Sequence, residues 1–204
     1  MLLLSPLVAS AQMMTSRPCK AFAVIVLVLV CAACGGKSSS PTSPTAAPAP
    51  VANLTFESNT AGYAGVHSYS FTNAGGGVAG QVAVNVMANQ FNRAVSMFRG
   101  TILYDSRIVE LVNYTEGDWM KQNNAIATFS VTSNAARNGV VIRVDKPTSV
   151  LGSTGSGVVL TLRFKPVAGV VSGSSQLQWT DTNAYNFQFE EQLFGTQGGT
   201  ITIR

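Results

Sequence analysis

From Val82 onward the chain keeps returning to an alternation of apolar and polar residues with a period of two, and this rhythm constrains the fold more than any other feature. Val82, Val84 and Val86 alternate with Ala83, Asn85 and Met87; Ala127, Phe129 and Val131 with Thr128, Ser130 and Thr132; Val140, Ile142 and Val144 with Val141, Arg143 and Asp145. Val158, Leu160, Leu162 and Phe164 alternate with Val159, Thr161, Arg163 and Lys165, and Ile201 and Ile203 with Thr200, Thr202 and Arg204. Successive side chains of a strand point to opposite faces, so each run offers one face to a core and one to water. Asn53 to Glu57 and Ser68 to Thr72 are further candidate strands. Turn formers collect between the runs, at Asn73 to Gly77, Asn134 to Gly139, Gly152 to Gly157, Ser172 to Ser175 and Gly195 to Gly199. Apart from a turn of helix expected near Glu116 to Asn123, no helical period appears, and the pattern predicts an antiparallel β-sandwich.

Such a sandwich needs enough chain to bury a core and no covalent staple. Residues 51–204 form one domain, and a chain of about 150 residues buries roughly 70% of its unfolded surface. Cys19, Cys31 and Cys34 all precede it, so neither a disulfide nor a thiolate metal site holds it together. The chain's formal charge of +4 includes Arg17, Lys20 and Lys37, which also precede the domain and leave it ten Lys/Arg against nine Asp/Glu. A near-neutral domain lacks the clustered basic excess that nucleic acid requires.

The N-terminal segment has a different chemistry. Ala21 to Val30 is an unbroken apolar run preceded by Arg17 and Lys20. It has the form of a signal peptide and is too short for a permanent membrane span. It ends in Cys31-Ala32-Ala33-Cys34-Gly35-Gly36, which resembles the lipobox of bacterial lipoproteins: Ala32 and Ala33 supply the small residues before Cys34. Cys31 fits less well as the acceptor because Val30 precedes it, and it stands where that pattern usually has an aliphatic residue. The resemblance implies cleavage after residue 33 and lipidation of Cys34, with Met13 or Met14 as the expected translation start. Acyl chains contribute about 0.8 kcal/mol per buried methylene, so two or three of them hold a protein firmly on a membrane. Because Gly35 rather than Asp follows Cys34, the sorting analogy favours the outer membrane. Residues 34–50 are rich in Ser, Pro and Ala with no large apolar side chain, a tether that would reach roughly 50 Å if extended.

Within the domain, five stretches in order resemble the cohesin family. Phe98-Arg99-Gly100-Thr101-Ile102-Leu103-Tyr104-Asp105, followed by Ser106 to Leu111 and then Glu116-Gly117-Asp118, matches an alternating strand ending in Tyr-Asp, a turn and a second strand leading to Gly. Asn138 to Ile142 matches the family's Gly-initiated middle strand, Gly155 to Lys165 its long strand entered through a Gly turn, and Gly198 to Ile203 its closing strand. The resemblance spans about Gly80 to Arg204. It implies a nine-stranded antiparallel jelly-roll β-sandwich that binds dockerin modules on one sheet face. In the family, Asn and Asp seven and five places before the Tyr contact the dockerin; here those places hold Met97 and Arg99. The outward phases of the strands expected beside them add Thr128 and Ser130, Val141 and Arg143, and Thr161 and Arg163. Three arginines on one face predict a partner with acidic side chains, distinct from standard dockerins.

Catalysis has little material. His67 is the single histidine, and no Ser/His/Asp or His/metal constellation can be built on one imidazole. Glu116 with Asp118, and Glu190 with Glu191, are read as solvated charges, because no Asp-rich loop offers the six to eight oxygens that calcium takes and adjacent strand residues point apart. Trp119 and Tyr185 are the candidates for a sugar-stacking platform, whereas Trp179 shares its phase with Leu177 and belongs to the core. The sequence therefore predicts a non-catalytic module without cofactor or metal: a lipid-anchored cohesin-like adaptor for a dockerin-like or other protein. Alternatives are a lipoprotein carbohydrate-binding module engaging polysaccharide, and a structural subunit of an envelope complex whose edge strands pair with neighbours.

Overall fold

Alternation becomes strand wherever a run has one wholly apolar face. The computed structural model describes residues 51–59, 65–134 and 137–204; the signal sequence, Cys34 and the linker lie outside the described residues. The strands are β1 Leu54–Ser58, β2 Ser68–Asn73, β3 Val82–Val95, β4 Met97–Leu103, β5 Val109–Glu116, β6 Thr128–Asn134, β7 Gly139–Asp145, β8 Ser153–Pro166, β9 Gly173–Tyr185, β10 Gly195–Thr196 and β11 Gly199–Ile203. They form a six-stranded sheet, β1-β11-β9-β4-β7-β6, and a five-stranded sheet, β10-β2-β3-β8-β5. Every neighbouring pair is antiparallel except β10 with β2. The chain crosses from one sheet to the other at Ser96, whose N–H donates to the Tyr185 carbonyl and whose carbonyl accepts the Lys146 N–H, both at 2.8 Å.

The inward phases meet as expected. Phe98, Ile102, Val140, Ile142, Val144, Leu177 and Ile201 from one sheet pack against Tyr69, Phe71, Val84, Val86, Leu160, Leu162 and Phe164 from the other, all fully buried. Each such side chain contributes roughly 1.5–3 kcal/mol by leaving water. Tyr69 lies at the centre of an aromatic cluster, 4.2 Å from Phe98 and 4.9 Å from Phe91 between ring centroids, and Trp179 stacks on Phe71 at 4.8 Å. Trp179 therefore faces the interior, as its phase predicts.

The architecture is the predicted all-β sandwich, and five details differ. Eleven strands rather than nine form among the described residues, one of them the two-residue β10. Gly152 to Gly157 is no turn: β8 begins at Ser153 and bends through Gly155, which takes φ 72. Val86 faces Leu160 but Met87 faces Val158, which makes Val159 the extra residue of a β-bulge. The expected phase reverses there, with Val159 fully buried and Val158 only half-buried. Likewise β9 starts at Gly173, inside the turn expected at Ser172 to Ser175. The expected helical turn is a 3-10 helix at Trp119–Asn124, broken by Gln122 and by Asn123 at φ 62.

Candidate protein-binding face

The outward side of β9, β4, β7 and β6 is assembled in rows by strand register. Met97 lies opposite Asp145 and Tyr185, with Thr128 beyond Asp145; Arg99 lies opposite Arg143 and Asn183, with Ser130 beyond Arg143. Thr101 faces Val141, and Thr132 follows on β6. Of the residues expected on one face, the structure thus brings together Met97, Arg99, Thr128, Ser130, Val141 and Arg143. Thr161 and Arg163 are corrected. They lie on β8 between β3 and β5, so their outward side is the opposite face of the sandwich. Alternation dictates which side of a strand faces the core but not which sheet the strand joins. There Thr161 Oγ1 donates to Asn85 Oδ1 at 2.7 Å, and Arg163 is half-buried with Nη1 lacking a hydrogen-bond partner.

Electrostatics revises the expected trio of arginines. Two guanidinium groups directly across a ladder repel, and Arg143 is neutralised by its neighbour two residues on, Asp145, through an Nε to Oδ2 contact. Arg137, from the β6–β7 turn, replaces Arg163 and pairs with Asp181 at 3.1 Å. Arg99 has no carboxylate partner among the described residues. These groups line a shallow groove of about 590 Å³, with exposed Val141 and buried Thr101 in its wall. Arg137, Asp181 and Asn183 escaped the sequence reading. The available signal was the polar run Asp181-Thr182-Asn183 in an alternating strand, which marks the bulge where Asp181 takes φ 50.

The Tyr-Asp pair is a joint rather than a contact point. Tyr104 is buried edge-on against Phe164 at 5.4 Å, and the Asp105 carbonyl accepts the N–H groups of Ile108 and Val109. The Arg107 guanidinium, 2.8 Å from Asp105, and the Arg107 N–H hold that carboxyl below the usual range. Trp119 is also corrected: only 2% exposed, it donates its indole N–H to the Thr154 carbonyl at 3.0 Å and meets Tyr69 edge-on. It cannot present a flat ring to a sugar in this conformation. Tyr185 remains half-buried beside Met97. His67 is half-buried at φ 50, with its ring 6.3 Å from Phe91, and Glu116 pairs with Lys121 at 2.9 Å. Among the described residues no group of three or more His, Cys, Asp or Glu could hold a metal, and no helix is long and apolar enough to cross a membrane.

These features define a β-sandwich presenting one broad, shallow sheet face. No protein-family model matches the sequence, and no curated protein matches it. Solved cohesin modules share the fold. CaCohA2 of Clostridium acetobutylicum, in solution, gives a TM-score of 0.52 at 17% identity over 72% of this chain and 88% of its own. The CaDoc0917–CaCohA2 complex gives 0.53 at 19% identity over 63% and 93%. The sixth cohesin of Acetivibrio cellulolyticus scaffoldin B, solved with a Cel5 dockerin, gives 0.50 at 13% identity over 74% and 97%. The fold of residues 51–204 is therefore cohesin-like.

Proposed function

We propose that this domain is a non-catalytic protein-binding module that holds its partner on the β9-β4-β7-β6 face, and that a lipid on Cys34 tethers it to the cell envelope at the outer membrane. The observation that carries the binding reading is Arg99: a guanidinium exposed and without an ion pair among the described residues, in the middle of a flat face beside Met97 and Val141. Solved complexes of the same fold, with dockerins, support a protein as the partner. The partner differs from a standard dockerin because Met97 and Arg99 replace the Asn and Asp of the cohesin pattern. An acidic side chain meeting Arg99, ringed by apolar contacts, suits this face, and Arg and Met are enriched at interfaces.

The test is capture from the producing cell's own envelope and secreted proteins. Arg99→Glu together with Arg143→Glu abolishes capture while circular dichroism shows an intact sandwich. Arg99→Glu alone supplies most of the loss, at least about tenfold, because Arg143 is already committed to Asp145. Unchanged capture by the folded double variant would remove the site from this face.

A further inference from the structure

β9 continues past its own end into a tight hairpin. The Gln192 N–H donates to the Ala184 carbonyl at 2.8 Å, the Asn186 N–H to the Glu190 carbonyl at 3.0 Å, and Tyr185 bridges Glu191. Asn186 organises the loop. Its Oδ1 accepts the N–H groups of Gln188 and Glu190, each at 2.9 Å, its Nδ2 donates to Glu190 Oε2 at 2.7 Å, and its carbonyl accepts the Phe189 N–H at 3.1 Å. These bonds hold Phe189 at φ 63. A bulky residue enters that left-handed region only at a steric cost, and Gly or Asn ordinarily fills it. Yet the ring receives little burial in return: Phe189 is 64% exposed and Phe187 43%. Strain maintained by a dense hydrogen-bond network, with apolar rings left in water, marks a segment shaped for something outside the domain.

We propose that Phe187 and Phe189 form a preorganised aromatic finger that enters an apolar pocket on the same protein that meets Arg99. The inference rests on the binding reading of that face. Continuity supports it: Asn183, directly opposite Arg99, donates its Nδ2 to Glu191 Oε1 at 2.7 Å and so ties the hairpin to the face. The chemistry favours a protein over a sugar, because phenylalanine has no polar handle and the Asn186 and Glu190 side chains are consumed in holding the loop. Exposed carboxylates at Glu190 and Glu191 oppose an anionic lipid surface. A rigid finger has little freedom left to lose on binding, and buried aromatics dominate interface energies.

A photoreactive benzoylphenylalanine at position 189, and separately at position 141, in the full-length protein within its own cells provides the test. Mass spectrometry should identify one and the same protein cross-linked from both positions. Adducts from position 141 alone, or lipid or glycan adducts from position 189, overturn the finger and leave the face standing; adducts from position 189 alone overturn the shared partner and the face, and none from either overturns both. With that partner purified, Phe187→Ala combined with Phe189→Ala weakens binding at least about thirtyfold. Phe189→Gly gives a second readout, since glycine accepts φ 63 without steric cost: its melting temperature rises while its affinity falls. A lower melting temperature for Phe189→Gly would mean that the ring supports the fold, and the finger is then wrong.

Discussion

Lys146 is buried, and no carboxylate among the described residues pairs with it. Its Nζ donates to the Gln122 carbonyl at 3.0 Å and to Ser153 Oγ at 3.1 Å, and Ser153 Oγ donates to the Trp119 carbonyl at 2.6 Å. One ammonium thereby pins the broken 3-10 helix to the start of β8. Burial lowers its pKa from the ordinary 10.5. The unfolded chain therefore binds more protons than the folded one between the two values, and stability rises with pH across that window. Tyr69 acts in the opposite direction: burial raises its pKa well above 10.0, so stability falls as the unfolded tyrosine ionises above that point. Lys146→Met should abolish the rise on the alkaline approach to pH 10.0 and leave the Tyr69 decline. It should also cost roughly 1–3 kcal/mol at neutral pH, since the Gln122 carbonyl and Ser153 lose a donor. Denaturant midpoints of both proteins across that range decide it; an unchanged slope in the variant would assign the rise to another group.

At the scale of elements, alternation located β6, β7, β11 and the first half of β3 because each follows one undisturbed phase, whereas β3 changes phase beyond Ala88, where Gln90 takes φ 49. It failed on β8, where Gly155 and the bulge at Val159 change phase inside one strand. Nothing in a period of two assigns a strand to a sheet, which is why Thr161 and Arg163 were expected beside Arg99 while Leu160 in fact pairs with Val86. Arg137 was illegible for a related reason: a turn brings it onto the face, and turns have no phase. Trp119 sits in a connection, where the sequence suggests exposure, yet the Lys146 network and its own bond to Thr154 draw it inward. The bulge in β8 also shapes its neighbour. Gly117, just after β5, donates its N–H to the Val159 carbonyl at 2.9 Å, and a Cβ there would come within 2.1 Å of the Val158 carbonyl oxygen. Gly117→Ala must push two backbones apart and should cost about 3 kcal/mol or more. A melting curve unchanged from wild type would show that the bulge yields freely.

For the whole molecule, the proposed lipid places a folded domain at the end of a Ser/Pro/Ala-rich tether. Cys34→Ala should move the protein from the membrane fraction to the soluble fraction without altering its melting temperature, because the domain holds no cysteine. Fractionation with mass spectrometry of the N-terminus checks this, and a wild-type N-terminus without acyl chains would refute the anchor. The domain's first strand then acquires a mechanical meaning. β1 lies antiparallel to β11 over the five pairs from Leu54–Ile203 to Ser58–Gly199, and Asn53 and Arg204 exchange two further backbone hydrogen bonds of 2.9 Å. Met97, Tyr185 and the 186–191 hairpin lie toward the other end of the six-stranded sheet, since register carries β11 to the start of β9 and Met97 to its finish. With the proposed partner and tether both in place, tension between them would enter the domain at the Leu54 end of β1. Because Leu54 and the proposed binding face stand at opposite ends of the sheet, such a load falls on the β1–β11 ladder chiefly as shear.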